Sequence, residues 1–213
     1  MSGSLRHPLT RALVILTATT GLIDAVSYLG LGHVFSANMT GNVVLLGFGV
    51  AGTGGLPVVS PLLAGIAFLA GAGAGGRLAS RVARPLRVAL AIEIALIALA
   101  CALAAAIDVQ PDRASGDTIV GLLAVAMGVR NATVRKLGVP DLTTTVLTMT
   151  LTGLAADSPA AGGTGKGSVR RAVAVSAMFA GAVAGALLVR SSLVLPLLAA
   201  AALGLVAMFV ADG

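Results

Sequence analysis

Long apolar runs, each close to the length that crosses a lipid bilayer, constrain this chain more than any other feature. Six such runs occupy residues 12–31, 58–76, 88–107, 118–137, 171–190 and 192–211. A helix needs about 20 apolar residues to cross roughly 30 Å of hydrocarbon. Two further apolar stretches, 43–52 and 142–156, are shorter. At a helical rise of 1.5 Å per residue they reach only about 15 and 22 Å. The sequence therefore predicts an all-α polytopic membrane protein.

The composition excludes the main soluble classes. Hydrophobic residues make up 57% of the 213 residues, charged residues only 10%, and the mean hydropathy is +1.02. A soluble domain carries about 25% charged residues, so a soluble enzyme, a disordered chain and a disulfide scaffold are all excluded. The formal net charge is +6, but the basic residues form short clusters between apolar runs. That arrangement is typical of membrane orientation signals, and we expect no nucleic-acid partner.

The fourteen basic residues indicate whether the two shorter stretches cross the membrane. Lys and Arg favour the cytoplasmic side of a bilayer. If both stretches cross, eight spans result and at most eight basic residues share a side. If both are re-entrant, near 35–53 and 141–156, six spans remain and only Arg113 and Arg190 lie outside. We therefore predict six transmembrane helices plus two re-entrant half-helices, with both termini in the cytoplasm. The twelve cytoplasmic residues are then Arg6, Arg11, Arg77, Arg81, Arg84, Arg87, Arg130, Arg135, Lys136, Lys166, Arg170 and Arg171.

The two halves of the chain resemble each other. Similar segments recur in order at offsets of 107 to 110 residues, which suggests duplication with small insertions. Each half, 1–108 and 109–213, holds three spans. Because three is an odd number, we expect two inverted three-span repeats, an arrangement that recurs among transporters. The matching segments are Gly21–Ala25 with Gly128–Ala132, Thr40 with Thr148, and Gly71-x-x-x-Gly75 with Gly181-x-x-x-Gly185.

Polar residues inside the apolar runs are the candidates for a pathway. Asp24 lies deep in the first run, where a carboxylate needs a cavity or a partner. Asn38 and Thr40 suit the N-cap of the first half-helix, and Gly41 allows close backbone approach. The alternatives are a structural hydrogen-bond network and an ordinary capped turn. The full candidate set is Asp24, Ser27, Tyr28, Asn38, Thr40, Gly41, Asn42, Arg130, Asn131 and Thr148.

Two charged residues in the apolar runs have several interpretations. Arg130 could pair with Asp24 across the repeat, bind an anionic substrate, or extend to the cytoplasmic interface beside Arg135 and Lys136. Glu93 could be a second pathway acid or the partner of an arginine in 77–87. The second half-helix is rich in threonine, whose hydroxyls can line a pore or bond their own helix backbone.

The segment Gly21–Asn42 resembles the first signature of the YoaK-like family of bacterial inner-membrane proteins, a family of unknown function. Residues from Met127 through Thr148 resemble its second signature, although that family usually has Gln at Arg130 and Gly at Met149. The resemblance implies about six spans, a location in the bacterial cytoplasmic membrane and, at most, a small-molecule transporter.

We therefore expect a transporter or channel for a small solute, with a central pathway between the repeats and proton coupling through Asp24 as one option. The alternative is a non-transporting membrane scaffold or sensor whose polar residues only pack helices. No nucleophile–base or metal constellation supports an enzyme, and we expect no cofactor or metal. The expected partners are the lipid bilayer and the solute, and a homo-oligomer is compatible with the sequence.

Overall fold

A computed structural model describes residues 7–111, 113–138 and 147–212, which form α-helices joined by short connections. Six of these helices are long and apolar enough to cross a membrane. They coincide with the six predicted spans, so that prediction is confirmed. A short 3₁₀ turn at Pro159–Ala161 precedes the seventh helix. The helices are α1 (Pro8–Gly30), α2 (Met39–Val50), α3 (Val59–Arg81), α4 (Pro85–Ala106), α5 (Ala114–Leu137), α6 (Leu147–Ala156), α7 (Ser168–Val189) and α8 (Val194–Asp212).

The two short helices fall on the two short apolar stretches. Helix α2 has 12 residues, and the described part of α6 has 10, which correspond to about 18 and 15 Å of helix. The length of α2 does not cross the hydrocarbon core of a bilayer, and neither does the described part of α6. The start of the second predicted stretch, 141–146, lies outside the described residues, and so do Thr143, Thr144 and Thr145.

Helices α1 and α5 form the centre of the bundle. Helix α1 packs against α7 and α8, whereas α5 packs against α3 and α4. Helices α4 and α8 contact each other, while α2 rests chiefly on α3 and α6 on α7. When each of α1 to α4 is exchanged with its counterpart among α5 to α8, the same set of helix contacts results. The pattern of helix packing is therefore the same in the two halves of the chain.

Glycines bring the central helices into backbone contact. Gly71 of α3 lies against the backbone carbonyl of Val125 in α5, where no Cβ could fit. Gly181 of α7 lies in the same way against the carbonyl of Ala18 in α1. Gly181 follows Gly71 by 110 residues, and Val125 follows Ala18 by 107 residues. Small residues allow this close approach when helices pack in lipid. The repeated glycines therefore make equivalent contacts in the two halves.

Large apolar side chains cover the outside of the bundle. Phe179 is 70% exposed, and Leu69 and Phe209 are each 71% exposed. Soluble monomers rarely expose large contiguous apolar surfaces, but these faces lie on the membrane-length helices α3, α7 and α8. The exposed apolar surface fits contact with lipid.

Candidate functional site

The segment between α1 and α2 folds back onto α1. The carboxylate of Asp24 accepts a hydrogen bond from the backbone N–H of Ala37, with Oδ1 and N 2.8 Å apart. The hydroxyl of Ser27 accepts one from the backbone N–H of Ser36, at 3.2 Å. These bonds hold the segment beside the last two turns of α1, so that α2 begins before the level at which α1 ends.

The Asn38–Asn42 turn is a helix N-terminus, as the sequence predicted. The Asn38 side-chain oxygen accepts a hydrogen bond from the backbone N–H of Gly41, at 3.2 Å, and caps α2. The Asn42 side chain forms two hydrogen bonds with the backbone of Phe35. It accepts from the Phe35 N–H at 2.8 Å and donates to the Phe35 carbonyl at 2.6 Å. A Cβ on Gly41 would come within 2.8 Å of the Phe35 ring. Glycine is therefore required where the segment passes over the start of α2.

Helix α2 runs back along α3. Its first residue, Met39, lies with Phe68 and Leu69 of α3 along one groove. A Cβ on Gly49, near the other end of α2, would lie 3.0 Å from the carbonyl oxygen of Pro57, just before α3 begins. The N-terminus of α2 is consequently level with the middle of α3, and its C-terminus is level with the start of α3.

Helix α6 runs along α7 in a comparable way. Near its C-terminal end, Gly153 accepts a hydrogen bond from Arg171 at 2.6 Å, and Arg171 forms a 2.8 Å ion pair with Asp157. Near its N-terminal end, Thr148 lies with Met178, in the middle of α7. The described part of α6 therefore begins level with the centre of α7 and ends level with the start of α7.

The N-terminal end of α2 and the first described residues of α6 lie at one cavity of about 610 Å³. Five of the predicted candidates line this cavity, and the described residues around it carry no charged side chain. Asp24, Ser27, Asn42, Arg130 and Asn131 are not among its lining residues. Asp24, Ser27 and Asn42 instead hold the segment that leads into α2. The lining residues are Tyr28, Phe35, Asn38, Thr40, Gly41, Val44 and Leu45 from the first half, and Leu147, Thr148 and Met178 from the second.

Two aromatic contacts order the first-half wall of the cavity. The Tyr28 ring stacks on Phe35 with a centroid distance of 4.8 Å. His33 meets the edge of Tyr28 at 5.2 Å. Offset-stacked and edge-to-face pairs are favourable geometries for aromatic rings. Tyr28 therefore links α1, the connecting segment and the cavity.

Arg130 forms a buried ion pair with Glu93. Its Nη1 lies 2.9 Å from Oε1 of Glu93, and neither side chain is exposed. Its Nη2 donates to Thr20 at 2.5 Å and lies 2.9 Å from the Met127 sulfur. The cluster joins α1, α4 and α5 near the middle of all three helices.

This pair corrects three interpretations. The expectation that Arg130 extends to the cytoplasmic interface is wrong, because its side chain is fully buried. The expectation that Glu93 pairs with an arginine in 77–87 is also wrong, because its partner is Arg130. The ion pair of Arg130 is likewise not with Asp24, whose carboxylate binds backbone N–H groups. Sequence reasoning missed this pair because its members are 37 residues apart on different helices, and no local pattern connects them.

The described part of the chain contains no group of three or more His, Cys, Asp and Glu side chains placed to hold a metal ion. The lining residues of the cavity offer hydroxyl, amide and backbone groups instead. Such groups suit hydrogen bonding to a small polar molecule.

Comparison with known proteins agrees with a membrane location. The chain is 33% identical over 146 residues to the UPF0700 transmembrane protein YoaK of Bacillus subtilis (strain 168). The match covers 68% of this chain and 65% of that relative, which is less than two thirds of the relative's length. No solved structure matches the chain. The transmembrane relative and the six apolar helices together identify an integral membrane protein.

The profile of one family, described as "Protein of unknown function (DUF1275)", matches residues 12–211. That range includes all the predicted candidate residues and nearly the whole helical bundle. The chain therefore belongs to the DUF1275 family of proteins of unknown function.

Proposed function

We propose that this protein is a transporter or channel for a small solute, and that the solute passes through the cavity between α2 and α6. The observation that carries the proposal is that the start of α2 and the first described residues of α6 line one cavity of about 610 Å³, whose described wall carries no charge and offers Asn38, Thr40 and Thr148 among apolar side chains. This volume lies within the range of about 300–1,000 Å³ that small-molecule sites occupy.

The repeat supports an inverted arrangement around this pathway. Each half contributes three membrane-length helices, and an odd number of spans reverses the orientation of the second half. The equivalent contacts of Gly71 and Gly181 support a two-fold relation between the halves. Discontinuous helices at the interface of inverted repeats form the substrate sites of many transporters.

The contacts of the half-helices support re-entrant segments. The N-terminus of α2 lies level with the middle of α3, a helix long enough to span the bilayer. A helix end at that depth has N–H groups that lipid cannot satisfy, and it is tolerated only within protein or beside a water-filled cavity. The cavity between α2 and α6 supplies such surroundings.

The solute class we propose is small and polar, either uncharged or anionic. The N-terminal end of a helix carries a partial positive charge, and the start of α2 faces the cavity. The carboxylate of Asp24, which binds the Ala37 N–H just before α2, offsets part of this charge but does not line the cavity. Half-helix dipoles directed at a pore centre repel cations and protons, so we expect cations to be excluded.

For Asp24 we propose a positioning role, in which its carboxylate fixes the backbone that leads into α2. This role makes proton coupling through Asp24 a secondary hypothesis. Coupling would require that protonation of Asp24 release Ala37 and thereby shift the start of α2.

The proposal is tested by solute flux into proteoliposomes. Purified protein is reconstituted, and stopped-flow light scattering follows glycerol, urea, formate and nitrate. We expect flux of at least one of these solutes above that of empty liposomes, without flux of potassium. Thr40→Val and Thr148→Val replace a hydroxyl by a methyl group of similar size, and each should lower this flux severalfold.

Thr152→Val is the matched control, because Thr152 lies on α6 but does not line the cavity. Its hydroxyl bonds the backbone carbonyl of Thr148 within the same helix. Flux that is unchanged in Thr40→Val and Thr148→Val, or equally reduced in Thr152→Val, would contradict the pathway. Folded protein without flux for any of the four solutes would favour the scaffold or sensor alternative.

A further inference from the structure

A second cavity, of about 300 Å³, lies at one end of the bundle, away from the pathway. It lies among the first residues of α1 and α4 and the last residues of α5 and α8. Four membrane-length helices therefore end around it, which puts it at the level where a bilayer meets water. Its polar residues are His7, Arg84, Arg87 and Asp212.

Among the described residues that line this cavity, the charges do not cancel. Arg87 forms an ion pair with Asp212, with Nη1 and Oδ2 3.2 Å apart. Within the described ranges, Arg84 has no ion-pair partner. His7 lines the same cavity, and its Nδ1 accepts the backbone N–H of Leu9, so Nε2 is the ring nitrogen left for a ligand. One uncompensated positive charge matches the single negative charge of a phosphodiester.

The rest of the cavity wall is apolar. Leu9, Leu137 and Met208, each partly exposed, lie beside the charged groups. A site for a soluble anion has no need of such a wall. A phospholipid needs both parts, because its phosphate sits in the interface and its acyl chains run along apolar side chains. Basic pockets between transmembrane helices are known to bind anionic headgroups.

We propose that this cavity binds one anionic phospholipid, whose phosphate lies between Arg84 and His7 and whose acyl chain lies against Leu137 and Met208. Arg87 contributes less, since Asp212 already compensates its charge. The site joins the start of α4 to the end of α8, so the bound lipid would tie these two helices together. This inference does not depend on the proposed function, because the cavity shares no residue with the pathway.

Native mass spectrometry of the delipidated protein tests the site directly. The protein in detergent is titrated with phosphatidylglycerol or with phosphatidylcholine of the same acyl chains. We expect one phosphatidylglycerol to bind preferentially, and Arg84→Gln to weaken its binding about fivefold. That change corresponds to about 1 kcal/mol for one basic residue near an anionic headgroup.

Two further variants separate a built site from general attraction. Arg77→Gln removes the same charge from an exposed position on α3 outside the cavity, and we expect it to leave binding unchanged. Asp212→Asn removes the competing carboxylate, so phosphatidylglycerol should bind more tightly. Equal binding of the two lipids would overturn the proposal, and so would equal losses in Arg77→Gln and Arg84→Gln.

Inorganic phosphate and glycerol 3-phosphate form the last arm of the test. If either displaces phosphatidylglycerol at millimolar concentration, the cavity is a site for soluble phosphates and the lipid proposal is wrong. If neither does, the acyl chain contributes to binding, as the apolar wall predicts. An independent measure of binding is the reaction of Cys101 with a thiol reagent during heating, compared with and without phosphatidylglycerol.

Discussion

The buried pair of Arg130 and Glu93 makes a sharp prediction about stability. Replacing Glu93 by Leu leaves Arg130 enclosed without an opposite charge. Both side chains are fully buried, and the 2.9 Å contact is the ion pair that compensates Arg130. Thr20 and Met127 can still accept from one guanidinium nitrogen, but neither supplies a negative charge.

The magnitude follows from the cost of an unpaired buried charge. Breaking a buried ion pair by removing one partner typically costs about 3–5 kcal/mol of stability. Removing both partners is often neutral or stabilising. We therefore expect Glu93→Leu to lose about 3–5 kcal/mol, and the double variant with Arg130→Met to remain close to the parent protein.

The repeat gives a reason to expect that the double variant is tolerated. By the offset of 107 at α1 and α5, Arg130 corresponds to Ile23, and by the offset of 110 from Gly71 onward, Glu93 corresponds to Leu203. Both are apolar and belong to the packed core or its edge, so the corresponding place in the other half holds no ion pair. Arg130→Met alone should cost less than Glu93→Leu alone, because a carboxylate can take up a proton whereas a guanidinium stays charged.

The single cysteine supplies the assay. Cys101 is buried, with 8% of its surface exposed, and it reacts with a maleimide dye only when the bundle opens. The temperature at which the dye reacts should fall strongly in Glu93→Leu and recover in the double variant. Equal reaction temperatures for Glu93→Leu and the parent, or a double variant no more stable than Glu93→Leu, would refute the reasoning.

Three further predictions concern packing and topology. Gly71→Ala should lower the stability by about 1–3 kcal/mol, as overpacking typically does, because its Cβ would overlap the Val125 carbonyl. Gly76→Ala is the neutral control in the same dye assay, since there is open space at its Cβ. Asp24→Leu should cost about 1–3 kcal/mol by leaving the Ala37 N–H unpaired, and Asp24→Asn, which keeps an acceptor oxygen, should cost less. In a Cys101→Ala background, single cysteines in 79–86 and 160–168 should be labelled only from the cytoplasm, and single cysteines in 109–116 only from outside. Labelling of 79–86 from outside intact cells would contradict the six-span topology.

The spans could be predicted because the bilayer imposes one length on every crossing helix. The start of α2 was also predictable, since Asn38 is a capping residue and Gly41 lies where a backbone crosses closely. The presence of Thr40 and Thr148 at one cavity followed from the repeat, which relates them before any contact is known. These predictions needed only local chemistry and the duplication.

The roles of the charged residues could not be predicted in the same way. A carboxylate within a span needs a cavity or a partner, and sequence cannot say which. For Asp24 the partner is the backbone of the segment that follows, which folds back only because Ser27 and Asn42 also bind it. Glu93 and Arg130 meet only because α4 packs on α5, which is a property of the whole bundle.

The most direct test of the central claim is cysteine modification at the cavity. In the Cys101→Ala background, Thr148→Cys protein is reconstituted, and solute flux is measured before and after treatment with a small water-soluble methanethiosulfonate reagent. We expect Thr148→Cys to react through water and its modification to block flux, whereas modification of Thr152→Cys should leave flux intact. If Thr148→Cys is modified and flux continues unchanged, the cavity between α2 and α6 is not the pathway.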